Sequence, residues 1–150
     1  MADFTHPIPV VVCGKSEVVG AKVTESLKPE IEVIYFLSGD EQIQRHLPQL
    51  LAGASGANLP PSAVGTQNFS RLPQAVIFGR GNEPGSVQAH HASFGQNSDR
   101  AVAWIAGDPD EPPPTTAPGP GYAEKTAEVV KAKLAAWVKA GGKSRELIYY

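Results

Sequence analysis

The chain has 150 residues, 41% hydrophobic and 19% charged, which suits one globular domain spanning 1–150 with a sizeable core. Its net charge is −2 and no basic block appears, so binding to nucleic acid lacks its electrostatic footprint. No run approaches the ~20 apolar residues of a membrane span, and a single cysteine, Cys13, rules out an internal disulfide.

The first element predicted is a strand over 8–13, "IPVVVC", valine-rich and apolar enough to be buried on both faces. From Glu17 the period changes: Val19, Val23 and Leu27 recur every four residues, as on one face of a helix, and Lys28-Pro29 ends it. A second strand is predicted over 31–37. Ser38-Gly39-Asp40 then makes a turn with a capping residue, and Ile43, Leu47, Leu50 and Leu51 mark a second helix that Pro48 shortens or bends. Residues 53–73 lack periodicity and form a long loop. "AVIF" at 75–78 is a third strand, and 83–93 a weakly signalled short helix. "AVAWIA" at 101–106 is a fourth strand. The proline-rich stretch 109–121 reads as a lid over the strand ends or as a rigid strap. A last helix is predicted over 122–140, closed by Gly141-Gly142, and "LIYY" at 147–150 is a fifth strand.

Strands alternating with helices predict a three-layer α/β domain with a parallel sheet of four to five strands. Its order is Rossmann-like or flavodoxin-like, and its crossovers are right-handed. Trp104 and Trp137 read as core; His46 and His6 read as surface.

The junction "CGKSEVVG" carries the first candidate site. A P-loop would need glycine at position 9, which is Pro9, and its intervening residues are strand. A thiol at a helix start is a candidate nucleophile, but Val19 stands where a phosphatase-type arginine belongs, and a small hydrophobe is the plainer reading of Cys13. Gly14 and Gly20 serve a tight turn and close helix–sheet packing, with Lys15, Ser16 and the helix start favouring an anion.

In open parallel sheets ligands bind outside the carboxyl ends of the strands. Gly14, Lys15 and Ser16, then Ser38 and Asp40, then Gly79 and Arg80, and finally Asp108 are predicted to meet there. Arg80 suits a carboxylate or phosphate, or else pairs with Asp108 or Glu83. His90 and His91 point about 100° apart on a helix and do not chelate one ion. No metal site is expected; one of the two histidines can instead reach the crevice as an acid or base.

The spacing of Gly14 and Gly20 resembles the glycine turn of short-chain dehydrogenases, with Val18 in place of the middle glycine. That resemblance implies NAD(P) as a cofactor, with Ser38 and Asp40 near the ribose. The family's Tyr-x-x-x-Lys pair is absent, because Lys125 follows Tyr122 at the wrong spacing. The blocks "RLPQAVIFGRG", "AVAWIAGDP" and "GPGYAEKTAEVVKAKLAAWVKAGG" resemble a family of short, uncharacterised fungal proteins, which implies a Rossmann-like domain and no particular reaction.

Two functions fit these residues. One is a domain binding a small anionic ligand or nucleotide at the strand ends. The other is a non-catalytic interaction protein that has lost its cofactor site, with the "LIYY" terminus placed to join a homodimer. The start "MADFTHPIPV" lacks the features of a signal peptide, so the expected compartment is the cytoplasm.

Overall fold

The computed structural model describes residues 7–15, 17–28, 30–52, 64–69, 72–79, 84–95, 101–107, 121–144 and 146–150. Five strands, β1 (Ile8–Gly14), β2 (Ile31–Ser38), β3 (Ala75–Phe78), β4 (Ala103–Ala106) and β5 (Leu147–Tyr149), form one parallel sheet in the order β2-β1-β3-β4-β5. The helices are α1 (Glu17–Leu27), α2 (Asp40–Leu51), α3 (Pro84–His90) and α4 (Tyr122–Lys139), and a π-helical turn, His91–Gly95, extends α3. The expected α/β class, with a parallel sheet, is what the chain forms. The order is the flavodoxin-like alternative, and its direction reverses between β1 and β3.

Every residue of β1, β3 and β4 is buried, as continuous apolar runs require when helices cover both faces. Val10, Val12, Ile77 and Ile105 join a core beneath α1 and α4. Val11, Cys13, Val76, Phe78 and Trp104 join a second core beneath α2 and α3. Burial of Cys13 pushes its thiol far above the ordinary 9.0, so the thiolate that nucleophilic chemistry needs is strongly disfavoured.

Right-handed connections throughout would place α2, α3 and α4 on one face and leave α1 alone on the other. Instead α4 packs beside α1. The β4–α4–β5 connection therefore has the opposite hand to the other three, contrary to the uniform hand expected. The rule arises where a short connection folds a helix straight back onto its strands. Here residues 107–121 separate β4 from α4, which releases that constraint.

β2 departs from strict alternation. Val10 pairs with Val33 but Val11 with Tyr35, so Ile34 is an extra residue in β2. Such a bulge re-aims the side chains beyond it. Ile34 and Tyr35 both enter the core under α2, and Phe36 returns to the core under α1. The bulge is held from its outer edge: the amides of Thr66 and Gln67 donate to the carbonyls of Val33 and Ile34 at 2.9 and 2.8 Å. Gly65, at φ +100°, lies so close that a Cβ there would stand 2.9 Å from the Ile34 carbonyl. Part of the long loop predicted over 53–73 thus covers the edge of β2.

The turn Ser38-Gly39-Asp40 holds the cap of α2, with Asp40 its first helical residue, whereas one local expectation, that for His46, is corrected. The cap is Gly39, at φ 86°, and the Gln42 side chain reaches back to accept from the Ser38 amide at 2.9 Å. His46, expected at the surface, is 8% exposed, because it borders Ile43 and Leu50 on the buried face of α2. Its buried Nδ1 has no hydrogen-bond partner among the described residues.

Candidate functional site

The carboxyl ends of β1, β2 and β3 lie side by side. The Gly39 amide donates to the Gly14 carbonyl at 3.3 Å, and the Gly79 amide to the Cys13 carbonyl at 2.8 Å. Gly14, Ser38 and Gly79 therefore share one rim, with Lys15 and Asp40 stepping off its strand ends. Ser16, Arg80 and Asp108 lie outside the described residues, as do most of the proline-rich stretch and the side chain of Tyr122.

The glycine turn is filled from within. A Cβ on Gly20 would stand 2.6 Å from Cε2 of Phe36, and one on Gly14 would stand 3.2 Å from its Cζ. These glycines thus admit the Phe36 ring between β1 and α1. Val18, at the position of the missing middle glycine, points outward and is 69% exposed.

The polar chemistry of the described rim gathers at Asp40. Its Oδ1 faces Nε2 of His90 at 3.1 Å, and its Oδ2 accepts from the Ser86 hydroxyl at 3.2 Å. His90 draws the Asp40 carboxyl below its ordinary 3.8, aided by Ser86 and Lys15, against the opposing push of partial burial. Facing an ionised carboxylate, Nε2 is the protonated nitrogen of His90. The Lys15 ammonium makes no hydrogen bond or ion pair among the described residues and is exposed.

His90 is placed by aromatic packing. Its ring lies parallel to Phe78 and to Phe94, with centroids 6.3 Å away in each case. Phe78 in turn stacks on Trp104 at 6.0 Å, and His91 meets Trp104 edge-on at 5.4 Å. His90 and His91 diverge as adjacent helical residues must. The sequence allows one histidine of the pair to reach the crevice without identifying which. The signal lay in Phe78 and Phe94, whose proximity only the fold reveals. No three His, Cys, Asp or Glu side chains gather as metal ligands among the described residues.

Because Asp40 titrates below its ordinary value in the folded state, its contribution to stability is present above pH 3.8 and is lost as pH falls through the folded value. Its side chain is 52% exposed, so solvent screening keeps that contribution small. Asp40→Asn is expected to lower the urea midpoint at pH 7, with the gap to wild type narrowing as the pH is lowered below 3.8. A gap unchanged at the lower pH would show that the loss is not electrostatic.

Neither a family model nor a solved structure matches the chain. It is 29% identical over 143 residues to a protein of Aspergillus oryzae named kojic acid related protein 6, covering 95% of this chain and 86% of that protein. No helix among the described residues is long and apolar enough to cross a membrane.

Proposed function

We propose that this chain binds a small anionic ligand, a nucleotide or sugar phosphate foremost, at the carboxyl ends of β1, β2 and β3. The observation that carries the reading is the exposed Lys15 ammonium beside Asp40, unpaired among the described residues, where the sheet reverses direction. Clefts at such reversals are where open α/β sheets take their ligands. Lys15 supplies the charge for a phosphate or carboxylate, and Ser16, Arg80 and Asp108 remain part of the proposed site on sequence grounds. Phe36 packs against Gly14 and Gly20 from within, so these glycines serve helix–sheet packing, and the exposed Val18 stands where a middle glycine would admit a pyrophosphate. Compact phosphates therefore fit this reading better than NAD(P).

The filled turn also favours a second reading, that of an interaction protein on a nucleotide-binding scaffold. A thermal-shift panel separates the two. It contains AMP, FMN, NAD, NADP and acyl-CoA, together with kojic acid because of the Aspergillus oryzae relative's name. A true ligand at a hundred times its dissociation constant adds about 2.7 kcal/mol, or about 5–10 °C for a chain of this length. Lys15→Ala is expected to reduce that shift severalfold. No shift with any compound favours the interaction reading.

A further inference from the structure

The two edges of the sheet are finished differently. Along β2 the amides of Thr66 and Gln67 donate to the carbonyls of Val33 and Ile34, and Glu32 adds a charge. At the other end of the order lies β5, and no described residue covers its outer edge in this way. The Tyr150 amide donates to the Ala106 carbonyl at 3.0 Å, so residues 148 and 150 turn their backbone groups towards β4. Those of Leu147 and Tyr149 alternate with them and point away from the sheet. Among the described residues nothing hydrogen-bonds to them.

β5 is also more apolar than its surroundings require. An uncharged parallel run such as Leu147-Ile148-Tyr149 suits a strand covered on both faces. Yet none of the three is fully buried, and Tyr149 is 36% exposed. Ile148 packs on the α1 and α4 side, whereas Leu147, and with it Tyr149, projects to the α2 and α3 side. Exposed edges are ordinarily blunted by a lysine, a proline or a covering loop. Leu147-Ile148-Tyr149 contains neither residue.

We infer that β5 pairs antiparallel with β5 of a second copy of this chain, about a two-fold axis that passes Ile148 perpendicular to the sheet. In that register Leu147 exchanges both backbone hydrogen bonds with the partner's Tyr149, and the axis repeats the exchange. All four open backbone groups of each edge are thereby used. Leu147 lies beside the partner's Tyr149 on one face and covers its ring, while the two Ile148 side chains meet on the other. Charge permits the pairing. No residue from 147 to 149 is charged. The two Glu146 side chains, four residues apart along the paired strands, stand roughly 13 Å apart, beyond a Debye length of about 8 Å. β5 offers no charge by which to select a foreign strand, whereas its own sequence matches it at every position. Three paired residues cover less than the ~800 Å² per partner of a standard interface, so the dimer is weak, with a dissociation constant in the micromolar range. β5 lies three strands from β1, so this edge is separate from the rim that holds Lys15 and Asp40.

The test is sedimentation equilibrium of the full chain from about 1 µM to about 1 mM, where wild type is expected to pass from the mass of one chain to that of two. Tyr149→Pro removes an outward-pointing donor and no bond to β4. It is expected to weaken association about tenfold or more, because the symmetry deletes two hydrogen bonds. Tyr149→Lys, which brings like charges together across the axis, is expected to weaken it at least as much, and serves should the proline variant fold poorly. Amide hydrogen exchange on wild type gives an independent measure. The Leu147 and Tyr149 amides are expected to exchange more slowly as concentration rises, while that of Ile148, already bonded to β4, does not change.

The mass of a single chain at every concentration overturns the inference. So does a dimer that both Tyr149 variants leave intact, or one in which the Leu147 and Tyr149 amides exchange no more slowly, since it would form elsewhere on the surface.

Discussion

Phe78→Ala is expected to destabilise the protein by about 3–5 kcal/mol. Phe78 is fully buried at the end of β3, where its ring stacks with those of Trp104 and His90. Removing it forfeits the transfer energy of the ring and leaves a cavity that a packed sheet cannot close. A domain of ordinary stability holds about 5–15 kcal/mol in all, so a large share is lost. The site suffers too, because His90 loses one of the rings that fix its plane. Urea denaturation measures the first effect and NMR of the His90 ring the second. A loss below about 1 kcal/mol would mean that the stack contributes little and His90 is held by other means.

Gly20→Val is expected to cost about 3 kcal/mol, the upper range for overpacking. Even the first added carbon would stand 2.6 Å from the Phe36 ring. That ring is buried in the core under α1 and also lies against Gly14, so it has no room to retreat. Gly20→Ala adds less and recovers up to about 1 kcal/mol of helix propensity, so its net cost is smaller. Phe36→Leu makes space, and combining it with Gly20→Val is expected to recover about 1–2 kcal/mol relative to the sum of the single changes. Additive effects in that cycle would show that Gly20 is needed for some reason other than the ring, such as close approach of a ligand to the turn.

Much of the architecture was legible in the sequence, because its signals are local. The apolar runs of β1 and β3, the four-residue spacing of Val19, Val23 and Leu27, and the glycines that end α4 need no knowledge of the rest of the chain. What depends on distant residues was not legible. Alternation of strands and helices fits either strand order, so the reversal between β1 and β3 appears only in the fold. The change of hand before β5 depends on the face α4 chooses, which its own sequence does not state. The bulge at Ile34 is invisible in "IEVIYFL", where simple alternation would send Phe36 to the other face. Its cause lies some thirty residues onward, in Gly65, Thr66 and Gln67. The candidate site divides in the same way. Lys15, Ser38, Asp40 and Gly79 were found because glycine-rich strand ends mark a rim. The involvement of Ser86 and His90 depends on α3 packing beside α2, and no spacing in the sequence encodes that.

The most direct measurement is a 1H–15N NMR map of the wild-type chain titrated with AMP. The amides of Lys15, Gly39, Asp40, Gly79 and His90 are expected to shift together and to saturate along one binding curve, while those at the opposite end of the sheet, such as Ile8 and Ile31, stay in place. Shifts gathered instead along β5 or the outer edge of β2, or none at millimolar AMP, would contradict a ligand site at the carboxyl ends of β1, β2 and β3.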